Sequence, residues 1–398
     1  MVYSFLTVNF GTEYEVCRLA KKLNVPVLLW GPRDECPDEN GMRLRDSQCG
    51  LFATGKVLRR FGIPFTYLKN CNLEDECFAE GIDRFLRVCN VVKAFRNTRV
   101  LQISTRPFDF WSTMCNEGEL LEKFGIQLSP IPMPELTQAM KDVKENSPEE
   151  IKEVTDYCRE KMCIKVTPEQ LDNVAALKIA MTRLGKKYGC NCGAIQCWNA
   201  LQDEIGIMPC AANALCNDEG FPIACETDIH GTITSVLVEA AAMGETRSFF
   251  ADWTVRHPYN DNAELLQHCG PWPISIAKEK PTIDTPVAFD CSGSLMAQAK
   301  DGEHISLVRF DGDNGEYSLL LGNAKTVDGP YTKGTYMWVE VENLDRLEDK
   351  LVQGPYIHHC VGVHQDVVPV LYEACKYIGV TPDLYDPIEE KGKSYHPW

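Results

Sequence analysis

The sequence predicts an α/β protein: an N-terminal parallel-sheet domain, then a helical layer, then a small antiparallel β-barrel. Three observations predict it. Strand-like and helix-like segments alternate over residues 1–165. Helix starts dominate the middle of the chain. Residues 282–342 then turn strand-rich, with Asp-Gly and Asn-Gly turns between apolar runs.

The first part has strand signals at 4–9, 25–30, 64–68, 99–104 and 127–132, separated by helix signals at 13–23, 46–61, 75–95 and 117–124. Such alternation argues for a parallel sheet wrapped by helices. A doubly wound, flavodoxin-like domain over 1–165 is therefore expected. No GxGxxG or P-loop follows any of these strands, so nothing points to a nucleotide.

Residues 166–398 form the expected second region. Its helical part covers about 166–281, its barrel part about 282–365, and a C-terminal helix and tail follow. Ser147-Pro148-Glu149-Glu150 reads as a helix start with Ser147 as N-cap. Thr167-Pro168-Glu169-Gln170 repeats the device, with Gln170 completing a capping box. Strands are expected at 285–290, 304–310, 317–323 and 335–340, the middle two joined as a hairpin through Asp311–Gly315.

Composition limits the function. At roughly 150 residues per domain, 398 residues suggest two or three domains. A net charge of −17 without clustered Lys and Arg argues against nucleic acid. No apolar run reaches the roughly 18 residues of a membrane span. The first residues lack the basic start and cleavage site of a signal peptide, so a cytoplasmic protein is expected. Nineteen cysteines, an odd number, fit reduced thiols better than a disulfide framework. Cys190, Cys192, Cys197, Cys210, Cys216 and Cys225 cluster locally, but without repeated CxxC pairs they read as buried thiols rather than a metal cluster.

Three segments gather ligand-type side chains. The first is Cys225-Glu226-Thr227-Asp228; if it is extended, Glu226 and Asp228 share a face. The second, Phe249-Phe250-Ala251-Asp252-Trp253, sets an acid in an apolar run, where a carboxylate is costly unless paired or metal-bound. The third, Tyr356 to His364, holds His358, His359 and His364, three of eight histidines. His268 is a fourth candidate. Taken alone, Glu226 or Asp252 is also consistent with a helix cap or an ion pair with Arg256. Any metal site is assembled from distant loops, because no HExxH or similar short motif is present.

Taken in order, Cys225-Glu226-Thr227-Asp228, Phe249 to Trp253, Gln267-His268-Cys269-Gly270-Pro271 and Gly354-Pro355-Tyr356-Ile357-His358-His359 resemble the L-fucose/L-arabinose isomerase family. The likeness extends to Val27-Leu28-Leu29-Trp30 with Arg45-Asp46-Ser47-Gln48-Cys49-Gly50, and to Thr332-Lys333-Gly334-Thr335-Tyr336, so it covers most of the chain. The known relatives carry a further domain ahead of the point where this chain begins, one that helps close a neighbouring subunit's site.

The resemblance implies a metal-dependent intramolecular oxidoreductase that interconverts an aldose and a ketose through an ene-diol. Its sugar would be of the fucose or arabinose type, or a 6-modified hexose such as a deoxy or sulfonated sugar. Glu226 and Asp252 match the acids that bind metal and move protons. His359 matches the histidine ligand, with His358 the alternative, and His268 matches a further ligand of the arabinose-type enzymes. Gln196 stands where a substrate-binding glutamine is expected. Trp253, Trp30 and Trp111 are candidates to stack on a sugar, against a simple core role. The implied cation is Mn²⁺, with Mg²⁺ or Co²⁺ as substitutes, and the implied assembly is a homo-oligomer, a trimer or hexamer. The competing readings are a non-catalytic sugar-binding or regulatory protein, a metal-dependent hydrolase or aldolase, and a cysteine-ligated redox enzyme.

Overall fold

In the computed structural model, which describes residues 3–11, 13–286 and 290–386, the chain divides into two compact units. The first holds residues 1–93 and 369–379. Its sheet is parallel, in the order Tyr3–Leu6, Val27–Trp30, Thr66–Tyr67. Side chains alternate across a strand, so Val27 and Leu29 face one side and Leu28 and Trp30 the other. Both sides are apolar. One packs on Phe5, Cys17, Leu51 and Leu58, carried by helices Glu13–Leu23 and Ser47–Arg60. The other packs on Leu68, Cys71 and Phe85. A strand buried on both faces is what a parallel sheet between helices requires. Within the same unit, Tyr377 from helix Val368–Ile378 bonds the Val27 carbonyl at 3.1 Å and Lys376 bonds the Phe65 carbonyl at 2.7 Å.

The second unit holds the described residues of 94–368 and 380–386. Its parallel sheet has the order Gln127–Ile131, Arg99–Ile103, Cys192–Ile195, Ile223–Ala224. Leu101, Ile103 and Ile195 pack beneath Leu136, Met140, Leu177 and Leu215 from the covering helices. The capping box at Thr167 forms as the sequence predicts, Gln170 N–H reaching Thr167 Oγ1 at 3.2 Å and Thr167 N–H reaching Gln170 Oε1 at 3.0 Å. Ser147 does sit at the N-cap of Pro148–Lys161, but its hydroxyl makes no cap bond; it takes a hydrogen bond from Arg183 at 2.8 Å.

A ten-stranded mixed sheet follows, in the order Thr381–Leu384, Glu316–Thr326, Ile305–Asp313, His359–Val363, Phe249–His257, Asn260–His268, Thr335–Glu340, Ser294–Gln298, Thr282–Asp284, Cys163–Ile164. Glu316–Thr326 also pairs with Thr335–Glu340 through Lys325–Glu340 and Thr326–Val339, so six consecutive neighbours meet end to end. Phe249, Trp253, Leu266, Leu307, Leu320 and Met337 share the core of this layer. The expected hairpin at 311–315 is present: Asp313 faces Glu316, and Asn314 and Gly315 have φ of 51° and 80°, the left-handed pair that a two-residue turn demands.

Two expectations change. Residues 249–268, placed above in a helical part, form a long antiparallel hairpin, Phe249–His257 with Asn260–His268. Each strand is buried along the end away from the turn and exposed near it, so neither a two-residue nor a helical period marks it in the sequence. The strand expected at 285–290 instead occupies Thr282–Asp284, and 287–289 lie outside the described residues, as does the expected tail from 387.

Helix Ile229–Ala241 is buried on nearly every side, between the parallel sheet and strands Ile305–Asp313 and His359–Val363. That is the environment needed by a helix with apolar residues on every face and few charges. Among the described residues no helix is long and apolar enough to cross a membrane.

Candidate active site and metal centre

The carboxyl ends of two parallel strands supply the first wall, the usual place for a ligand crevice in such sheets. Gln196 and Cys197 follow Cys192–Ile195, and Glu226 follows Ile223–Ala224. Glu226 and Thr227 are not extended: their φ values are 51° and 53°. Left-handed non-glycine residues cost of order 1–3 kcal/mol each and persist only where the surroundings hold them. Here Thr227 N–H bonds the Ile195 carbonyl at 3.0 Å, Thr227 Oγ1 bonds the Thr105 carbonyl at 3.1 Å, and Asp228 N–H bonds the Cys225 carbonyl at 3.0 Å. Glu226 and Asp228 therefore reach one region through a turn, not through strand alternation. Asp228 then caps helix Ile229–Ala241, accepting from Gly231 N–H at 2.9 Å.

The antiparallel layer supplies the second wall. Asp252 lies opposite both His359 and Gln267 in the strand register. Strand alternation puts Phe250 and Asp252 on the side of the histidines and sends Phe249, Ala251 and Trp253 into the core of the layer.

These walls converge. Glu226 Oε2 is 3.5 Å from His268 Nε2 and 3.9 Å from His359 Nε2. Asp252 Oδ1 is 3.8 Å from His268 Nε2 and 3.4 Å from His359 Nε2. Both oxygens are buried and have no hydrogen-bond partner. Two unpartnered acceptor oxygens thus lie within 3.4–3.9 Å of the same two imidazole nitrogens. Buried polar atoms are rarely left so. Glu226, His268 and His359 bring ligand atoms within 4.8 Å of one another, and Asp252 joins His359 and His358 in a second, overlapping group, so the donors present fit a divalent metal of the oxygen-and-imidazole type.

A second layer orients the first. Asp228 Oδ2 holds His359 Nδ1 at 2.8 Å, which fixes the ring and leaves Nε2 for the pocket. Asp228 in turn is gripped by both terminal nitrogens of Arg309, and Arg309 Nε reaches Asp311 Oδ2 at 2.9 Å. Asp311 Oδ1 ends the chain at His230 Nδ1, 2.9 Å away. On the other side, Cys197 Sγ lies 3.3 Å from Glu226 Oε1 and accepts Glu226 N–H at 3.4 Å. Phe250 packs against the rings of His268 and His359, with centroids at 5.2 and 4.7 Å, and Phe110 stacks on His359 at 5.8 Å.

Charge follows geometry. Burial would raise the Glu226 carboxyl, but the imidazoles of His268 and then His359 outweigh it, and Glu226 is held below its ordinary range. Asp228 is buried too, yet Arg309 and His359 hold it far down. Burial disfavours the His268 cation, and the carboxylates of Asp252 and Glu226 overcome this, raising His268 to about 9.

The structure thus brings together Glu226, Asp252, His359 and His268. His358 stands beside His359 with its ring exposed, and Asp252, His358 and His359 also bring ligand atoms within 4.8 Å. Gln196 sits on the strand-end wall, its Oε1 held by Ser104 Oγ at 2.8 Å. Trp253 faces away from Asp252 into the core. Trp30 belongs to the core of the first unit, 4.7 Å from the Phe78 ring. Trp111 is exposed on a short 3₁₀ turn. Of the six clustered cysteines, Cys197 and Cys225 meet beside Glu226. Sequence reasoning missed the supporting roles of Asp228, Arg309, Asp311, His230 and Phe110. One signal was available: Arg309 and Asp311 interrupt the apolar strand Ile305–Asp313 with opposite charges two residues apart, on one face.

Residues 4–96 match the family model described as Fucose/sulfoquinovose isomerase, N-terminal domain. The chain is similar to sulfoquinovose isomerase of Priestia aryabhattai, 24% identical over 388 residues that cover 96% of this chain and 84% of the relative. It is likewise similar to the sulfoquinovose isomerase of Alkalicoccus urumqiensis, 24% identical over 378 residues, 94% of this chain and 83% of the relative.

Proposed function

We propose, from the premise that this chain belongs to the fucose isomerase-like family and is an aldose–ketose isomerase, that its substrate is a 6-modified hexose, in the first place a sulfonated sugar such as sulfoquinovose. One observation carries the catalytic part: Glu226 Oε2 and Asp252 Oδ1, both unpartnered, lie 3.4–3.9 Å from the same two imidazole nitrogens. The choice of sugar rests on the relatives' names.

Aldose–ketose isomerisation takes a proton from C2, moves the O2 hydroxyl proton to O1, and returns a proton at C1, through an ene-diol. Glu226 and Asp252 are the pair that holds and returns these protons. The histidine neighbours keep Glu226 ionised and ready to accept. His359, fixed by Asp228, keeps the pocket face of its ring aligned with both acids. Gln196, at the strand-end wall, hydrogen-bonds the sugar hydroxyls. Phe110 and Phe250 keep bulk water from the imidazoles. A divalent cation held by Glu226, Asp252, His359 and His268, Mn²⁺ by preference with Mg²⁺ or Co²⁺ as substitutes, would polarise the sugar's oxygens as a Lewis acid. The six-strand ring of pairings supports reading this layer as a small antiparallel barrel. A cytoplasmic homo-oligomer, trimer or hexamer, completes the proposal.

The test is a chelator-stripped preparation, returned to Mn²⁺ and given a panel of aldohexoses including 6-deoxy and 6-sulfonated members. Ketose formation with solvent deuterium at C1 of the ketose and at C2 of the re-formed aldose, strongest for the sulfonated sugar, supports the proposal. Equal or better turnover of unsubstituted hexoses overturns the substrate, and turnover unaffected by chelation overturns the metal.

A further inference from the structure

A second cluster of metal-type donors lies in the first unit and belongs to no part of the site above. Cys71-Asn72-Leu73-Glu74-Asp75-Glu76-Cys77 links strand Thr66–Tyr67 to helix Glu76–Arg96. The sulfurs of Cys71 and Cys77 and a carboxylate oxygen of Asp75 all lie within 4.8 Å of one another. The loop is already set in that shape. Asn72 N–H reaches Asp75 Oδ2 at 2.8 Å, Asp75 N–H reaches the Asn72 carbonyl at 3.2 Å, and Phe78 N–H reaches the Asp75 carbonyl at 2.9 Å. Asn70 anchors the approach through Nδ2 to the carbonyls of Gly31 and Pro32, both at 2.8 Å, and Arg33 N–H bonds the Cys71 carbonyl at 3.3 Å. Cys71 is buried, while Asp75 and Cys77 are half-buried, so the cluster has a dry floor and an open side.

We propose that Cys71, Asp75 and Cys77 hold a thiophilic divalent cation of the zinc type, pinning this loop to the first turn of its helix. Two sulfurs and one carboxylate are a donor set that zinc prefers to the harder magnesium or calcium, and the open side leaves a fourth position for water. On binding, two thiol protons leave to solvent and two sulfur–metal bonds form, with no change of oxidation state. In the metal-free chain burial, and then the neighbouring Cys77 thiol, hold the Cys71 thiol above its ordinary range. The indole of Trp30 shares a core with both cysteines and so serves as a reporter. The proposal stands whether or not the sugar reading holds.

The test uses the full chain, reduced and stripped of metal, with Cd²⁺ as the spectroscopic probe and Zn²⁺ as the physiological one. The sulfur-to-cadmium charge-transfer band of the wild type should exceed that of Cys77→Ser by one bound ion per chain, and Trp fluorescence should change in the wild type alone. Zn²⁺ should raise the melting temperature of the wild type and not of Cys77→Ser. Asp75→Asn, which keeps both thiols, should weaken Zn²⁺ binding by about tenfold or more; it also serves should Cys77→Ser fail to fold. Identical cadmium bands and stoichiometry in wild type and variants would overturn the site. So would a Cys71–Cys77 disulfide in the freshly isolated protein.

Discussion

Asp228 and Glu226, two residues apart, approach opposite nitrogens of one imidazole: Asp228 Oδ2 is 2.8 Å from His359 Nδ1, and Glu226 Oε2 is 3.9 Å from His359 Nε2. The left-handed turn at Glu226 and Thr227 makes this possible. One acid fixes the ring, and the other shares its free face.

Asp228→Asn separates these roles. The amide still caps the helix but loses the charge facing Arg309. Breaking a buried ion pair by removing one partner costs about 3–5 kcal/mol, and losing a ligand's orienting group costs about 10–100-fold in metal affinity. Thermal melting and a Mn²⁺ titration of the same preparation should show both losses. Unchanged Mn²⁺ affinity would remove Asp228 from the account.

Metal binding should release a proton at neutral pH. With His268 raised to about 9, its ring is protonated at pH 7 and must deprotonate to become a ligand. Apparent Mn²⁺ affinity should therefore climb with pH up to about 9 and flatten above it. Calorimetry in buffers of different ionisation enthalpy counts the proton directly.

Glu264 offers a stability test away from the site. Burial first, and then Glu348, raise its carboxyl from 4.5 to about 7 in the folded protein. A raised acid is penalised where the unfolded chain ionises and the folded one resists. The penalty is absent below pH 4.5, grows from there to pH 7, and is constant above, approaching about 3 kcal/mol. Glu264→Gln should stabilise the protein at pH 8 and leave it unchanged at pH 4, as read by denaturant melts at both.

Gly231→Ala should disturb the site through packing. A Cβ there would meet Phe250 at 2.5 Å and Asp228 Oδ2 at 2.7 Å. Overpacking of this kind costs about 1–3 kcal/mol. Because Phe250 touches both metal-side histidines and Asp228 orients one, turnover should fall well before the fold does, which parallel activity and melting assays would show.

Much of this was legible in the sequence, and the illegible part has physical causes. Strand–helix alternation announced parallel pairing, but it carries no mark where the chain leaves the sheet of Val27–Trp30 for that of Arg99–Ile103. Strands Cys192–Ile195 and Ile223–Ala224 are too short for periodicity to show. Asp252 was readable because an acid in an apolar run demands a partner. Glu226 was readable too, but the turn that aims it was not: it depends on hydrogen bonds that Thr227 donates to the carbonyls of Ile195 and Thr105, distant in sequence. Arg309 and Asp311 looked like strand residues. Only the fold shows them buried behind His359. Trp253 illustrates the reverse: next to Asp252 in sequence, it faces the opposite side of the strand.

The most direct measurement is anomalous diffraction from crystals soaked in Mn²⁺. The account predicts a manganese peak bounded by Glu226 Oε2, Asp252 Oδ1 and the Nε2 atoms of His268 and His359, absent in Glu226→Gln crystals. A manganese peak elsewhere with this pocket vacant, or one that persists unchanged in Glu226→Gln, would contradict it.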